Sequence, residues 1–537
     1  MRKALTLLLP AVFATLALTA CSSDKEKDTS KAAAVEVNKD GFPIVDEKLE
    51  LTLMAPGTGM QEWKDMPALK EYAKMTNMDF KYITPPLSDF QTKLNLAFAS
   101  GDIADIIYAA GTSNLTPAME VDYGEQGVLI PLEDLINEHA PNLKKLLEER
   151  PDVRKSITTV DGHIYSLPMV DSETSGSSAS WFKGPLWYNG RWLEALGVKE
   201  LPKTTDEFYE LLKRFKTEDP NGNGKADEIP LLDVKMNSSR AWFLAAFGMK
   251  EWGIEENDGT VRYTPVENEY KEYLTFMNKL YKEKLLDPET FSQSDEQKKA
   301  KGQSNRLGIF PDWFSFFTTG ETEEVALNNP MFYPLTSSVS DEVVVPIRSG
   351  MTRGTFSITK NNPNPEASIR WIDYFYSQEG FEFINKGPEG LLWEWVDKEA
   401  GTKKQAELPK EFESMEDYRG TLTPDYAIAT PSLRGPIQGF GEKSDFEKFI
   451  NSETSEKIAP FGEVPFPYVY LTAKEQKQVN AIEVDLRSYV EQMEAKFITG
   501  VEPLSNWGNY VETIEKMKID EYIEIYQGAY DRWAKNK

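Results

Sequence analysis

Leu49, Leu51 and Leu53 alternate with polar neighbours, the period-two pattern of a half-buried strand. Leu69, Tyr72 and Ala73 then fall on one face of a helix over Pro67 to Thr76, and Phe80 and Tyr82 mark a second strand. A helix starting at Ser88 carries Phe90, Leu94, Ala97 and Phe98 at helical spacing, and Gly101 stops it. Ile103 to Tyr108 is an apolar run of strand length. The order β-α-β-α-β predicts an α/β fold with a parallel, doubly wound sheet. Ligands of such sheets bind beyond the carboxyl ends of the strands. Tyr108 to Asn114 leaves such an end and offers Gly111, Thr112, Ser113 and Asn114 as small or polar contacts.

The alternation continues downstream. Helices are expected over Leu132 to Glu138 and Asn142 to Arg150, and extended chain over Gly162 to Pro168. A strand at Leu186 to Asn189 precedes a helix from Arg191 to Leu196. Thr204 and Glu207 have the spacing of a capping box for a helix over Asp206 to Lys216. Helices follow at Ser239 to Phe247, Asn268 to Leu285, Pro365 to Tyr376 and Glu475 to Phe497, with strands at Leu307 to Phe310 and Thr355 to Thr359. The last hundred or so residues read as mostly helical.

The amino terminus changes the picture. Arg2 and Lys3 precede an apolar run from Ala4 to Ala17 that is too short to span a bilayer comfortably, as in a signal peptide. Leu18-Thr19-Ala20-Cys21 resembles the bacterial lipobox, whose cysteine receives a lipid before cleavage; the alternative is a plain secretory signal with an incidental cysteine. Cys21 is the only cysteine, so no internal disulfide forms. Residues 1–20 are thus expected as a signal peptide and 21–45, polar and poor in apolar residues, as a flexible tether. The formal charge of −27 argues against nucleic acid and anionic lipid as partners. No catalytic sequence motif stands out, and the two histidines, His139 and His163, lie beside no plausible nucleophile element.

Four stretches carry a family resemblance. They are AFASGDIADIIYAAG (97–111) with YGEQGVLIPL (123–132), DGHIYSLPM (161–169) with the run from Leu186 to Phe215, Thr355 to Gly387, and Asn506 to Trp533. In this order the chain resembles the extracellular solute-binding proteins of family 1, which include maltose-, oligosaccharide- and alginate-binding proteins. The last stretch is similar to their Gram-positive lipoprotein branch. The resemblance implies a lipid-anchored, monomeric, non-enzymatic protein on the outer face of the cell membrane that captures a saccharide for an ABC importer. It implies two α/β lobes, 46–168 with 350–422 and 169–349 with 423–537, joined by crossings near 167–171, 346–353 and 421–430. Against the branch pattern, Asn189 stands where a basic residue is expected. The alternatives are a secreted polysaccharide-active enzyme and a surface adhesin.

Asp219, Asn221 and Asn223 occupy the first, third and fifth places of an EF-hand-like loop, with Gly224 sixth. The Lys225 carbonyl falls seventh, and Asp227 and Glu228 supply carboxylates where Pro230 replaces the usual twelfth-place glutamate. The loop resembles the structural calcium loop of alginate-binding proteins; a polar Asn-Gly turn without metal is the alternative. For the sugar, the rings of Trp63, Tyr108, Trp187, Tyr188, Trp242 and Trp313 are candidates, with Asn114, Asn189, Arg191 and Arg353 as polar partners. The family resemblance singles out Trp313 as a stacking ring and Tyr188 as a cleft tyrosine. Trp63 and Trp242 fit a core equally well.

If Cys21 carries the anchor, Cys21→Ala shifts the protein from the membrane fraction to the medium or to an unprocessed precursor on fractionation. A processed, membrane-bound variant refutes the lipobox reading.

Overall fold

The computed structural model describes residues 35–172, 177–412, 414–441 and 443–536. Cys21 and the signal segment lie outside them. In chain order the strands are β1 (Leu49–Met54), β2 (Met78–Ile83), β3 (Ile106–Tyr108), β4 (Leu167–Asp171), β5 (Leu186–Tyr188), β6 (Ile229–Leu231), β7 (Ile254–Asn257), β8 (Thr260–Tyr263), β9 (Leu307–Pro311), β10 (Val345–Pro346), β11 (Met351–Ile358), β12 (Trp393–Asp397), β13 (Thr402–Gln405), β14 (Leu433–Arg434) and β15 (Gly462–Glu463).

The first sheet has the order β14-β4-β11-β3-β1-β2. β1 pairs in parallel with β2 and β3, and β14 in parallel with β4, as a doubly wound sheet requires. β11 is the exception. It lies between β3 and β4 and runs antiparallel to both, so the sheet is mixed rather than all parallel. Both β11 and β14 join this sheet after the chain has built the second one. A bulge between Thr352 and Phe356 puts Gly354 at φ +71°, with its carbonyl accepting from Gly111 N at 2.9 Å. A Cβ there would sit 2.8 Å from the Leu115 carbonyl oxygen, so the close approach of the two segments demands glycine.

The second sheet is small, β5-β9-β6, with β9 parallel to β6 and antiparallel to β5. Its hydrophobic core draws on residues from Trp181 to Val345 and from Phe446 to Ala529. The cores of the first sheet use residues from Ile44 to Val170 and from Met351 to Ile384. The helices Asp445–Lys457, Ala473–Thr499, Trp507–Lys516 and Ile519–Lys535 make the carboxyl-terminal part mostly helical.

Several boundaries differ from expectation for physical reasons. The tether expected over 21–45 gives way to packed chain before its end: Ile44 and Val45 are fully buried and Phe42 packs edge-on against Tyr72 and Tyr374. The capping box at Thr204 is half formed. The Thr204 hydroxyl accepts from Glu207 N at 3.2 Å, but the Glu207 carboxylate accepts from Lys203 N, one residue too early. The stretch 421–430, expected as a crossing, packs with the first sheet: Thr423, Asp425, Thr430 and Ser432 are buried and β14 pairs with β4. The hairpins β7–β8 and β12–β13 were not anticipated.

Asp425 pins that segment. Its carboxylate accepts from Arg434 Nη2 at 2.7 Å, Thr430 Oγ1 at 2.5 Å and Asn385 Nδ2 at 2.7 Å. Burial pushes its pKa up, but Arg434 and Arg419, with the hydrogen bonds of Thr430 and Asn385, outweigh this and hold it below the usual carboxylate range. A carboxyl depressed in the folded state stabilises above its unfolded pKa of about 3.9, and that stability is lost as the pH falls through the folded value. Asp425→Asn should therefore cost ~3–5 kcal/mol in denaturant unfolding at pH 7, since it leaves buried guanidinium groups uncompensated. The gap between variant and wild type should narrow below about pH 4. A gap unchanged down to pH 3 would show that the charge is not what stabilises.

Candidate functional site

Strand direction decides which residues reach the ligand edge. At the carboxyl end of β9, Pro311 leads to Asp312 and Trp313. The Asp312 carboxylate accepts from Trp313 N at 2.8 Å, Thr318 Oγ1 at 2.7 Å and Lys298 Nζ at 3.2 Å, which fixes the turn. Trp313 remains 41% exposed although its ring stacks on Trp181, with centroids 6.0 Å apart, and Arg348 lies 5.6 Å from its centre. One face of the indole is thus packed while part of it stays open to solvent at this edge.

At the matching edge of the first sheet, β3 ends in Ala109 and Gly111, both at positive φ. Asn114 turns its amide back to the Ala110 carbonyl at 2.7 Å, and Thr112 Oγ1 donates to the Arg353 carbonyl at 3.3 Å. Asn114 thus stays at the edge, and among the described residues no hydrogen bond engages its side-chain oxygen. Asp171 at the end of β4 was not singled out from the sequence. Burial pushes its carboxyl up, opposed by the positive charges of Arg434, Arg348 and Arg150. Asp171, Phe182, Arg348 and Tyr468 line a cavity of about 370 Å³ beside the crossings. The charges on residues 171, 348 and 434 meet only because three chain crossings converge, which no local pattern reveals.

The remaining ring candidates are core. Trp63 packs edge-on against Tyr108 at 5.6 Å, and both are buried in the first lobe. Trp187 is buried with its Nε1 donating to the Asp312 carbonyl at 2.9 Å, and Trp242 meets Phe332 edge-on at 5.7 Å. Tyr188 is fully buried against Phe332. Because β5 runs antiparallel to β9, the residues that follow it lie at the edge opposite Trp313. Asn189 there caps the helix Gly190–Ala195, and its amide donates to Asn305 Oδ1 and the Leu307 carbonyl, both at 2.9 Å. Arg191 is ion-paired with Glu321. Arg353 is buried too, donating to the Ser156 and Val469 carbonyls at 3.3 and 3.1 Å beneath Tyr468 and Tyr470. These residues build the lobes rather than the edge.

The loop from Asp219 is folded as a cation loop would be. Asp219 accepts from Asn223 N and Gly224 N at 3.2 and 3.0 Å, and Asn223 Oδ1 accepts from Lys225 N at 2.7 Å. Asp227 accepts from the side-chain amides of Asn221 and Asn223. Glu228 is raised by burial and then by Asp219 and Asp227, and its Oε1 is buried without a partner. A compact set of like charges with an orphaned oxygen suits a hard cation. Among the described residues no group of three or more His, Cys, Asp or Glu side chains forms a metal cage. Half of this loop's expected ligands are amide or backbone oxygens. His163 Nδ1 lies 2.6 Å from Glu133 Oε1, away from both edges.

Comparison with known proteins places these features. The chain is 28% identical over 547 residues to the fructooligosaccharide ABC transporter substrate-binding protein FusA of Streptococcus pneumoniae, covering 98% of each chain. FusA in complex with kestose superposes with a TM-score of 0.71 over 91% of this chain and all of FusA; an EF-hand mutant of FusA with fructo-nystose fits equally well. The fold is shared with a human-milk-oligosaccharide-binding solute-binding protein of Bifidobacterium longum infantis, at a TM-score of 0.75, 21% identity, and coverage of 91% of this chain and all of that one. The family model for bacterial extracellular solute-binding proteins matches residues 57–380, well over half of the chain, and the two-lobed α/β chain described above belongs to that family.

Proposed function

We propose that the protein captures an oligosaccharide between the carboxyl edges of its two sheets and delivers it, without chemical turnover, to an ABC importer. The observation that carries this reading is Trp313, a half-exposed indole held by Asp312 at the carboxyl end of β9 and flanked by Trp181 and Arg348. An aromatic face suits the carbon face of a pyranose or furanose ring, while Asn114, Asp171 and Arg348 offer acceptors and donors for hydroxyls. The likeness to FusA over nearly the whole chain supports a fructan or a related saccharide. Calcium in the Asp219–Glu228 loop has a structural part in this reading, bound by Asp219, Asn221, Asn223, the Lys225 carbonyl, Asp227 and Glu228. It would offset the burial and the neighbouring charges of Asp219 and Asp227 that raise Glu228. Lipidation of Cys21 would hold the protein at the outer face of the membrane beside its permease.

Calorimetric titration with kestose, nystose and milk oligosaccharides tests the ligand class. Trp313→Ala should weaken binding at least about tenfold, since it removes both the stack and the buried area. Equal affinity of folded variant and wild type removes Trp313 from the site, binding of no saccharide overturns the reading, and new reducing ends from a polysaccharide would point to an enzyme.

Chelator should lower the melting temperature of the wild type. A cation bound at about a hundredfold over its dissociation constant stabilises by ~3 kcal/mol. Asp219→Ala should abolish the response. An identical melting curve with and without chelator, with no metal found by elemental analysis, rules calcium out.

A further inference from the structure

The hairpin β12–β13 belongs to neither edge described so far. Its register sets Trp393 opposite Gln405 and Trp395 opposite Lys403, so these four share one face. Glu394 and Lys404 pair on the other face at 3.0 Å. The inner face is held against the helix Gln378–Lys386. Lys403 Nζ lies 2.6 Å from Glu382 and 4.9 and 5.1 Å from the ring centres of Trp393 and Trp395. Trp393 Nε1 donates to the Gly387 carbonyl at 3.0 Å.

Fixed as they are, neither indole is buried. Both line a cavity of about 720 Å³ whose far wall is Met75, Tyr374 and Phe383. A second cavity, of about 690 Å³, is lined by Asp171 and Arg434 at the crossings and by Ser444 and Glu447 at the start of the helix Asp445–Lys457. The two share Lys386, Ile437 and Phe440, so they adjoin along a groove between the crossings and the hairpin. Each has the volume of a small-molecule site, about 300–1,000 Å³. Lys386 stands at the joint, half-buried, and no hydrogen bond or ion pair engages its ammonium among the described residues. Burial pushes its pKa down. The side-chain amide of Gln405 is likewise unengaged on the wall of the inner cavity.

We infer that this groove extends the interlobe site and receives the distal units of a long oligosaccharide, with Trp395 and Phe440 against sugar faces and Lys386 and Gln405 donating to hydroxyl oxygens. The inference rests on the saccharide reading. Two cavities in series suit a linear chain of units, whereas a single small solute would occupy neither the hairpin nor the Lys386 joint. Aromatic walls interleaved with unengaged donors match a polyhydroxylated chain with alternating apolar and polar faces.

The test is calorimetric titration with kestose, nystose and a long inulin-type fructan fraction, using the full mature protein as wild type, Trp395→Ala and Lys386→Gln. Unchanged melting temperatures confirm that the variants fold. Wild-type affinity should rise along the series. Each variant should lose about tenfold for the longest fructan, the size of a lost aromatic or charge-assisted contact, and stay within about twofold of wild type for kestose. If wild type binds all lengths equally, or both variants keep full affinity for the longest fructan, the extension is wrong while the saccharide reading stands on kestose. If no fructan binds, the extension falls together with the fructan reading.

Discussion

The pairing of β11 on both of its edges organises the first lobe. All of its residues but Thr352 are buried, and it joins β3 on one side to β4 on the other. Side chains reinforce the ladder: Thr355 Oγ1 donates to the Leu167 carbonyl and Thr359 Oγ1 to that of Ala104, both at 2.8 Å. Without this strand β4 and β14 have no sheet to join, and the loop after β3 loses the Gly354 carbonyl that anchors Gly111. The crossings, the edge they define and the Asp171 carboxyl all take their positions from it.

Charge and strand polarity then divide labour at the edges. Burial disfavours an ionised carboxylate, so each buried acid either has close partners or titrates abnormally. Asp425 has four partners and is held acidic; Asp171 has positive charges nearby but no close contact and is raised. The first is a structural knot, and the second remains available at the mouth of two cavities. In the second lobe Tyr188 sits inside β5 and is buried, whereas Trp313 lies two residues beyond the end of β9 and stays exposed.

Local signals in the sequence were good guides where local physics governs. Period-two and helical spacing located β1, β2, β5 and β9 and most helices, because an apolar face must be buried whatever it packs against. The turn chemistry of Asp219 to Glu228 was legible for the same reason. Trp313 is singled out in the sequence only through a resemblance. Composition cannot separate a core tryptophan from an exposed one, which is why Trp63 and Trp242 fit a core equally well in the sequence; that distinction depends on tertiary packing. The antiparallel course of β11, the pairing of β14 with β4 and the convergence of Asp171, Arg348 and Arg434 are products of long-range topology. The hairpin tryptophans at 393 and 395 flank the single charge of Glu394 between Leu392 and Val396, too short a pattern to mark a strand.

The central position of β11 also sets a timetable for the chain. The sheet begun at Leu49 stays open at its middle until residue 358 is present and is not finished until β14 is added at Arg434. The second core waits still longer, for helices that end at Lys535. Neither lobe is a contiguous stretch, so a nascent or partly translocated chain holds unpaired strands and no complete core. Contacts of such sequence separation form slowly, because the closure entropy of long loops precedes any reward. The architecture therefore withholds the folded state until nearly all of the chain is present.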